Sequence, residues 1–289
     1  MIKRGEHMAE ENRETRAICP VCMHHCRLTQ EQYGRCRARK NSKGKIISIN
    51  YGKITGLMLD PIEKKPLRRF CPGSRILSVG SFGCNLACPF CQNYEISMTG
   101  EPEAEYREIS PEELDGFARE YKKYGNIGLA FTYNEPLVGY EFVRDTAKLV
   151  REHGMKNVLV TNGLAELEIL EELLPYIDAM NIDLKGFTEA YYRKLGGDLE
   201  TVKRFIRRSA EACHVELTTL ILPGENDSEK EMEEEAKWIA SIDPDIPLHV
   251  TRFFPRYKMT DRQATEVGKV YRLKECAEKY LKYVYTGNC

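Results

Sequence analysis

The stretch Arg75-Ile76-Leu77-Ser78-Val79-Gly80-Ser81-Phe82-Gly83-Cys84-Asn85-Leu86-Ala87-Cys88-Pro89-Phe90-Cys91 decides the fold. Its first five residues form a short, mostly apolar run of strand character, and a C-x3-C-x2-C run follows directly on the next loop. Three thiolates this close can ligate three irons of a [4Fe-4S] cluster, leaving the fourth iron open to a small molecule. Zinc is the competing ligand, but a structural zinc asks for four protein ligands. No nearby Cys or His follows Cys91 to supply the fourth. Three cysteines in eight residues of one loop is also not how buried thiols are spent in a core.

Working outward, the pattern of the opening strand repeats. Apolar runs at 75–79, 127–132, 157–161, 179–183, 215–221 and 247–252 alternate with segments of helical spacing, such as Leu114, Phe117, Ala118 and Tyr121. Phe142, Ala147, Leu149 and Val150 contribute to a second apolar face, and Val202, Phe205, Ile206, Ser209 and Ala210 to a third. Strand–helix alternation of this length predicts an α/β fold with a parallel sheet, closed or partly closed into a barrel. In such a barrel the active site lies on the loops that follow the strands. Those loops carry Tyr133-Asn134-Glu135-Pro136, Asn162-Gly163, Asp183-Leu184-Lys185-Gly186 and Pro223-Gly224-Glu225-Asn226-Asp227. Asn-Gly and Pro-Gly are ordinary turn chemistry. Glu135 and the pair Asp183/Lys185 are explained less well by turns.

A second cysteine group, Cys19-x2-Cys22-x3-Cys26-x9-Cys36, precedes the barrel, with Gly34 placed for a turn. Four thiolates satisfy either a closed tetrahedral zinc site, the first reading, or an auxiliary [4Fe-4S] cluster, spacing does not separate the two, and unliganded thiols are the third reading. The two prolines of Asp60-Pro61-Ile62-Glu63-Lys64-Lys65-Pro66 read as irregular backbone, which puts a domain boundary near Pro66. The expected organisation is a Cys-rich metal-binding region at 1–66 and a barrel at 67–289. Cys71, Cys213 and Cys276 read as small buried hydrophobes, and Cys289 is unassigned.

Composition narrows the function classes. With 289 residues, 42% hydrophobic and 30% charged, the chain can bury a sizeable core. A net charge of −1 offers no overall field for nucleic acid or an anionic membrane. No apolar run approaches the roughly 20 residues that cross a bilayer. Residues 1–16 are charged and lack the apolar core of a secretory signal, so they read as a disordered lead. Eleven cysteines without such a signal point to thiolates at work in a reducing cytoplasm.

The motif C-x3-C-x-aromatic-C, with Phe90 as the aromatic, resembles that of the radical S-adenosylmethionine (SAM) enzymes over about residues 75–257. The resemblance implies a partial (β/α)6-type TIM barrel of the radical SAM kind. It also implies a [4Fe-4S] cluster on Cys84, Cys88 and Cys91 whose open iron is chelated by SAM. One electron then splits SAM into methionine and a 5′-deoxyadenosyl radical, which abstracts hydrogen from the substrate. Carried onto this chain, Asn134 and Glu135 accept from the SAM ammonium, and Asp183 and Lys185 contact SAM, with Lys185 facing its carboxylate. Thr161 and Asn162 reach for the ribose, Phe90 flanks the cofactor, and His249 sits where activating enzymes carry a SAM-contacting histidine. As a lone histidine in an apolar strand, His249 reads equally as a satisfied core residue.

A narrower resemblance rests on residues 60–70 (DPIEKKPLRRF), Cys91-Gln92-Asn93, Tyr133-Asn134-Glu135-Pro136, Asn181-Ile182-Asp183-Leu184-Lys185 and Arg252-Phe253-Phe254-Pro255-Arg256-Tyr257-Lys258-Met259. These look like the radical SAM members of the AmmeMemoRadiSam system, relatives of pyruvate formate-lyase activating enzyme. That kinship implies an electron donor of the ferredoxin or flavodoxin type and, as partners, Memo-like and AMMECR-like proteins. It leaves two substrate classes, an unidentified molecule or the glycyl loop of a partner enzyme. A reading from another class makes both cysteine groups structural zinc sites of a non-catalytic interaction module. That reading gives no role to Glu135, Asp183 or Lys185. Members of the family are expected to continue past Tyr285-Thr286-Gly287-Asn288 into another Cys-containing segment, where this sequence ends at Cys289.

Overall fold

A computed structural model describes residues 16–289. Residues 1–15, and with them the expectation for the amino-terminal lead, lie outside it. The sheet at its centre has eight strands. They are β1 (Gly56–Pro61), β2 (Arg75–Gly80), β3 (Asn126–Phe131), β4 (Lys156–Thr161), β5 (Ala179–Asp183), β6 (His214–Ile221), β7 (Leu248–Arg252) and β8 (Val284–Gly287). They lie side by side in chain order, β2 to β8 parallel and β1 antiparallel to β2. The chain therefore forms the α/β partial barrel expected of it.

Helices return the chain between strands, and local chemistry starts them. α1 (Tyr94–Ser97) is a single turn after the thiol loop. Ser110 and Glu113 form a reciprocal capping box on α2 (Pro111–Glu120), while α3 (Tyr140–Glu152) and α4 (Leu167–Leu173) follow β3 and β4. Thr188, Asp198 and Ser228 cap α5 (Glu189–Leu195), α6 (Leu199–Ala210) and α7 (Glu229–Ala240), and α8 (Val267–Glu278) leads into β8. Alternation along β2 divides its faces. Leu77 and Val79 join the main core with helix residues such as Leu114 and Val143, whereas Ile76 joins Ala130, Val158 and Ala179 on the inner face.

That inner cluster includes Ile62 and Leu67, both fully buried, so the segment after β1 plugs the barrel. Polar groups hold it there. Asn181 donates to the Pro66 carbonyl at 2.9 Å, and the Arg68 and Arg69 N–H groups donate to Glu216 at 2.9 and 2.7 Å. The proline-rich stretch expected to be irregular thus begins inside a strand. Pro61 is tolerated because β1 is an edge, with a free side where no N–H is required. The Pro66 position chosen for the boundary falls after this strand of the barrel sheet, within the plug.

The residues before β1 lie against the carboxyl-terminal loops of the barrel. Ala17–Ile18 pairs with Arg27–Leu28, and Arg39–Ser42 with Lys45–Ser48. Cys22 bridges to Ala165, and the Glu166 N–H donates to Val21 O at 3.0 Å. Arg39, 3% exposed, makes a bidentate pair with Glu141 at 2.6 and 2.9 Å and donates to Val138 O. At Gly83, φ is +90° and a Cβ would stand 2.5 Å from the Cys36 carbonyl, so only glycine lets the two backbones meet.

Candidate active site

The thiol loop leaves β2 and is held from below by Asn134. The Asn134 Oδ1 accepts from Ser81 N–H at 2.9 Å, and its Nδ2 lies 3.2 and 3.1 Å from the Phe82 and Gly83 carbonyls. Its amide is spent on the loop backbone, so Asn134 positions the cysteines. From the far side the segment after β7 closes on the loop. Lys258 N–H donates to Pro89 O at 2.9 Å, and Tyr257 stacks on Tyr94 with ring centroids 4.5 Å apart. Phe90 is buried in the main core beneath the loop.

Cys84, Cys88 and Cys91 come together with Asp183, Lys185 and Glu135 at this mouth, each within electrostatic reach of others in the set. Burial, reinforced by Glu135, pushes the Cys84 thiol well above its ordinary value. Burial pushes Cys88 up to about 11, against the pull of Lys185. Cys84 and Cys88, thiols that resist ionisation, are poor free nucleophiles but good ligands, since a bound metal ion offsets the thiolate charge. Among the described residues no three His, Cys, Asp or Glu side chains surround a single ion position. A cluster that seats each thiolate on its own iron suits this donor set better than one zinc ion.

Lys185 Nζ lies 2.7 Å from Asp183 Oδ2. Burial alone would lower its pKa, but Asp183 and the Cys88 and Cys91 sulfurs hold it above the ordinary lysine range. It is therefore a fixed cation beside the thiols. Its backbone is held from both sides. The Lys185 N–H donates to Tyr192 Oη at 3.0 Å and its carbonyl accepts from Asn226 at 2.8 Å.

Glu135, 3% exposed, accepts from Leu137 N–H at 3.1 Å, Thr161 Oγ1 at 2.6 Å and Asn162 N–H at 2.8 Å. Burial pushes it up to about 7, with those donors pulling it back. It binds the loop after β3 to the loop after β4 and has little accepting capacity left. Asn162 then reaches Cys84 Sγ at 3.8 Å and Asn85 Oδ1 at 2.8 Å. His249 lies apart from this group. Its Nε2 meets Glu216 Oε2 at 2.6 Å and its ring lies against Tyr285, so this histidine is engaged in the barrel interior.

Of the aromatic residues at the strand ends, Tyr133 turns its hydroxyl to Asp60 at 2.9 Å with Lys65 over its ring, and Phe253 is fully packed. Two further residues belong to the site. Asn85, 1% exposed, joins the thiol loop to Asn162, and Tyr191 presents a buried hydroxyl with no partner within electrostatic reach of Cys88 and Lys185. An orphaned donor there fits a bound polar ligand. The Tyr191-Tyr192 pair at the start of α5 reads in sequence as a helix face, and only the fold turns it to the mouth.

Residues 78–236 match the family model described as the Radical SAM superfamily. An uncharacterized protein of Methanocaldococcus jannaschii is 38% identical over 278 residues, covering 95% of this chain and 82% of the relative. A pyruvate formate-lyase-activating enzyme of Clostridium pasteurianum is 26% identical over 217 residues, covering 69% of this chain and 87% of the enzyme. The crystal structure of Streptococcus suis SuiB bound to S-adenosylmethionine superposes with a TM-score of 0.57 at 16% identity, covering 71% of this chain and 48% of that one, and so shares its fold. The match spans the strand, thiol loop and βα units that build the mouth described above, and the chain belongs to the Radical SAM superfamily.

Proposed function

We propose that this enzyme binds a [4Fe-4S] cluster through Cys84, Cys88 and Cys91, cleaves SAM reductively and uses the product to abstract hydrogen from a substrate. The observation that carries the reading is the meeting of three thiols on the loop after β2 with the Asp183–Lys185 pair at the end of β5. When bound, the cluster supplies the electron that splits SAM into methionine and a 5′-deoxyadenosyl radical. The chain's own residues do the placing. Lys185 offers a cation to the methionine carboxylate, and Asp183 offers an acceptor to its ammonium. Glu135 fixes Thr161 and Asn162 toward the ribose, and Tyr191 offers its free hydroxyl to the same ligand. The plug beneath them fills the inner face with Ile62 and Leu67 and so limits the space left for substrate.

Kinship with pyruvate formate-lyase-activating enzymes supports a second reading, in which the substrate is a glycine of a partner protein. The electron donor is of the ferredoxin or flavodoxin type, and Memo-like and AMMECR-like proteins are the first partners to try. The test is anaerobic incubation of reconstituted enzyme with SAM, reductant and separate metabolite and protein fractions. Mass changes that track 5′-deoxyadenosine in the metabolite fraction support a small substrate, and changes confined to a protein support the activase. Substrate-independent inertness toward SAM rules out both.

A further inference from the structure

Cys19, Cys22, Cys26 and Cys36 play no part in the chemistry above, yet they are arranged as a set. Two tight turns bring them together. Cys19 N–H donates to Cys26 O and His25 N–H to Cys22 O, both at 3.0 Å, while Gly34 N–H donates to Arg39 O at 2.8 Å. A Cβ at Gly34 would stand 3.8 Å from Cys36 Sγ and 3.9 Å from Cys26 Sγ, so the turn passes against both sulfurs. Cys19 and Cys22 interact electrostatically with each other and with Cys26 and Cys36 respectively, and Cys36 with Cys19. Cys19, Cys22 and Cys36 are buried and Cys26 is half-buried.

Burial disfavours the free thiolate at Cys19, Cys22 and Cys36, and the backbone donors beside each sulfur favour the anionic form that a bound metal requires. The backbone N–H two residues on points at the sulfur in each buried case: Val21 at Cys19, His24 at Cys22 and Ala38 at Cys36. The catalytic loop repeats that geometry, Leu86 N–H to Cys84 Sγ at 3.4 Å. Such N–H···S contacts stabilise negative sulfur and tune metal–thiolate centres. A buried cation stands beside them. Arg39, 3% exposed, interacts with both Cys19 and Cys36, and its Nε has no hydrogen-bond partner. The two Nη groups hold Glu141, and the guanidinium lies beside sulfurs that carry negative charge once they ligate metal.

We propose that Cys19, Cys22, Cys26 and Cys36 bind a second [4Fe-4S] cluster, coupled to the catalytic thiol loop through Asn85 and Asn162. Continuity between the two sites favours a cluster over zinc. The Cys22 thiol meets the Asn85 side chain, whose Oδ1 accepts at 2.8 Å from the same Asn162 amide that reaches Cys84 Sγ at 3.8 Å. His24 Nε2 contacts the Asn85 carbonyl at 2.8 Å, and Cys22 bridges to Ala165. A redox-inert ion has no use for such a path, whereas a second centre that accepts single electrons from a low-potential carrier does. The inference rests on the proposed function for its first cluster but not for the site itself.

The test compares three full-length proteins after anaerobic reconstitution with ferrous iron and sulfide. They are the native chain, a Cys84→Ala/Cys88→Ala/Cys91→Ala variant and a Cys22→Ser/Cys26→Ser variant. Each is assayed for iron, sulfide and zinc and by electron paramagnetic resonance after reduction. The expected result is about eight irons in the native chain and about four in each variant. Magnetic broadening in the native spectrum should be lost in both variants. Should the double variant misfold, the triple variant still decides the matter, because it keeps all four amino-terminal thiols. About one zinc and four irons in the native chain, or no iron in the triple variant, overturns the proposal. Four irons in the triple variant together with a SAM-insensitive spectrum in the double variant would keep the second site and reject the proposed function instead.

Discussion

Lys185→Met removes the cation of the proposed SAM site while keeping the apolar stem that packs there. In the structure Nζ sits 2.7 Å from Asp183 Oδ2, buried enough that neighbouring negative charge holds it protonated throughout the neutral range. A charge-assisted hydrogen bond to a bound carboxylate is worth about 1.5–3 kcal/mol, so SAM affinity should fall roughly ten- to one-hundred-fold. Asp183, freed from its partner, is more available to the SAM ammonium, which offsets part of the loss and places it toward the tenfold end. The iron content should not change, because Lys185 ligates nothing. The assay is a SAM titration of anaerobically reconstituted protein followed by the cluster's spectrum, with Lys185→Arg as the charge-retaining control. Affinity within twofold of native in the methionine variant, with iron content equal, would refute the placement of Lys185 against SAM.

Two further outcomes test the frame that holds the site. Glu216 is fully buried, and although burial alone would raise its pKa, His214, His249 and the Arg68 and Arg69 N–H groups depress it to about 2. A depressed carboxyl contributes stability above its unfolded value near 4.5, and that contribution is lost as pH falls toward 2, amounting to about 3 kcal/mol. Glu216→Gln should flatten the dependence of unfolding free energy on pH across that window, as read from denaturant titrations. An unchanged slope would remove Glu216 as the anchor of the plug. Arg39→Met breaks the pair with Glu141 and should cost about 3 kcal/mol, at the low end for a buried pair because Glu141 retains some exposure. Proteolysis should then open the region before β1 sooner than the barrel, and equal rates would show that Arg39 is not what fastens it.

The parts of this molecule that depend on local pattern were legible in the sequence. All six strands read from apolar runs are present, from β2 to β7, with ends within a residue or so of expectation. β1 was hidden by Pro61, because being an edge strand is a property of the sheet rather than of the segment. β8 has only four residues, too few for a period to declare itself. In the site, Cys84, Cys88 and Cys91 were readable because their spacing is local, and so were Asp183 and Lys185. The division of labour among the rest was not, since it is set by contacts between distant residues. Nothing near Glu135 in the chain announces that Thr161 and Asn162 will occupy its carboxylate, or that Asn134 will turn to residues 81–83. His249 shows the same limit, because its partner Glu216 is 33 residues away.

The central claim is that Cys84, Cys88 and Cys91 support reductive cleavage of SAM. The most direct measurement quantifies 5′-deoxyadenosine and methionine released anaerobically from SAM by dithionite-reduced, iron-reconstituted protein, native against Cys84→Ala/Cys88→Ala/Cys91→Ala. The account predicts equal amounts of the two products from the native chain and neither above background from the variant. The same yield from both proteins would contradict it.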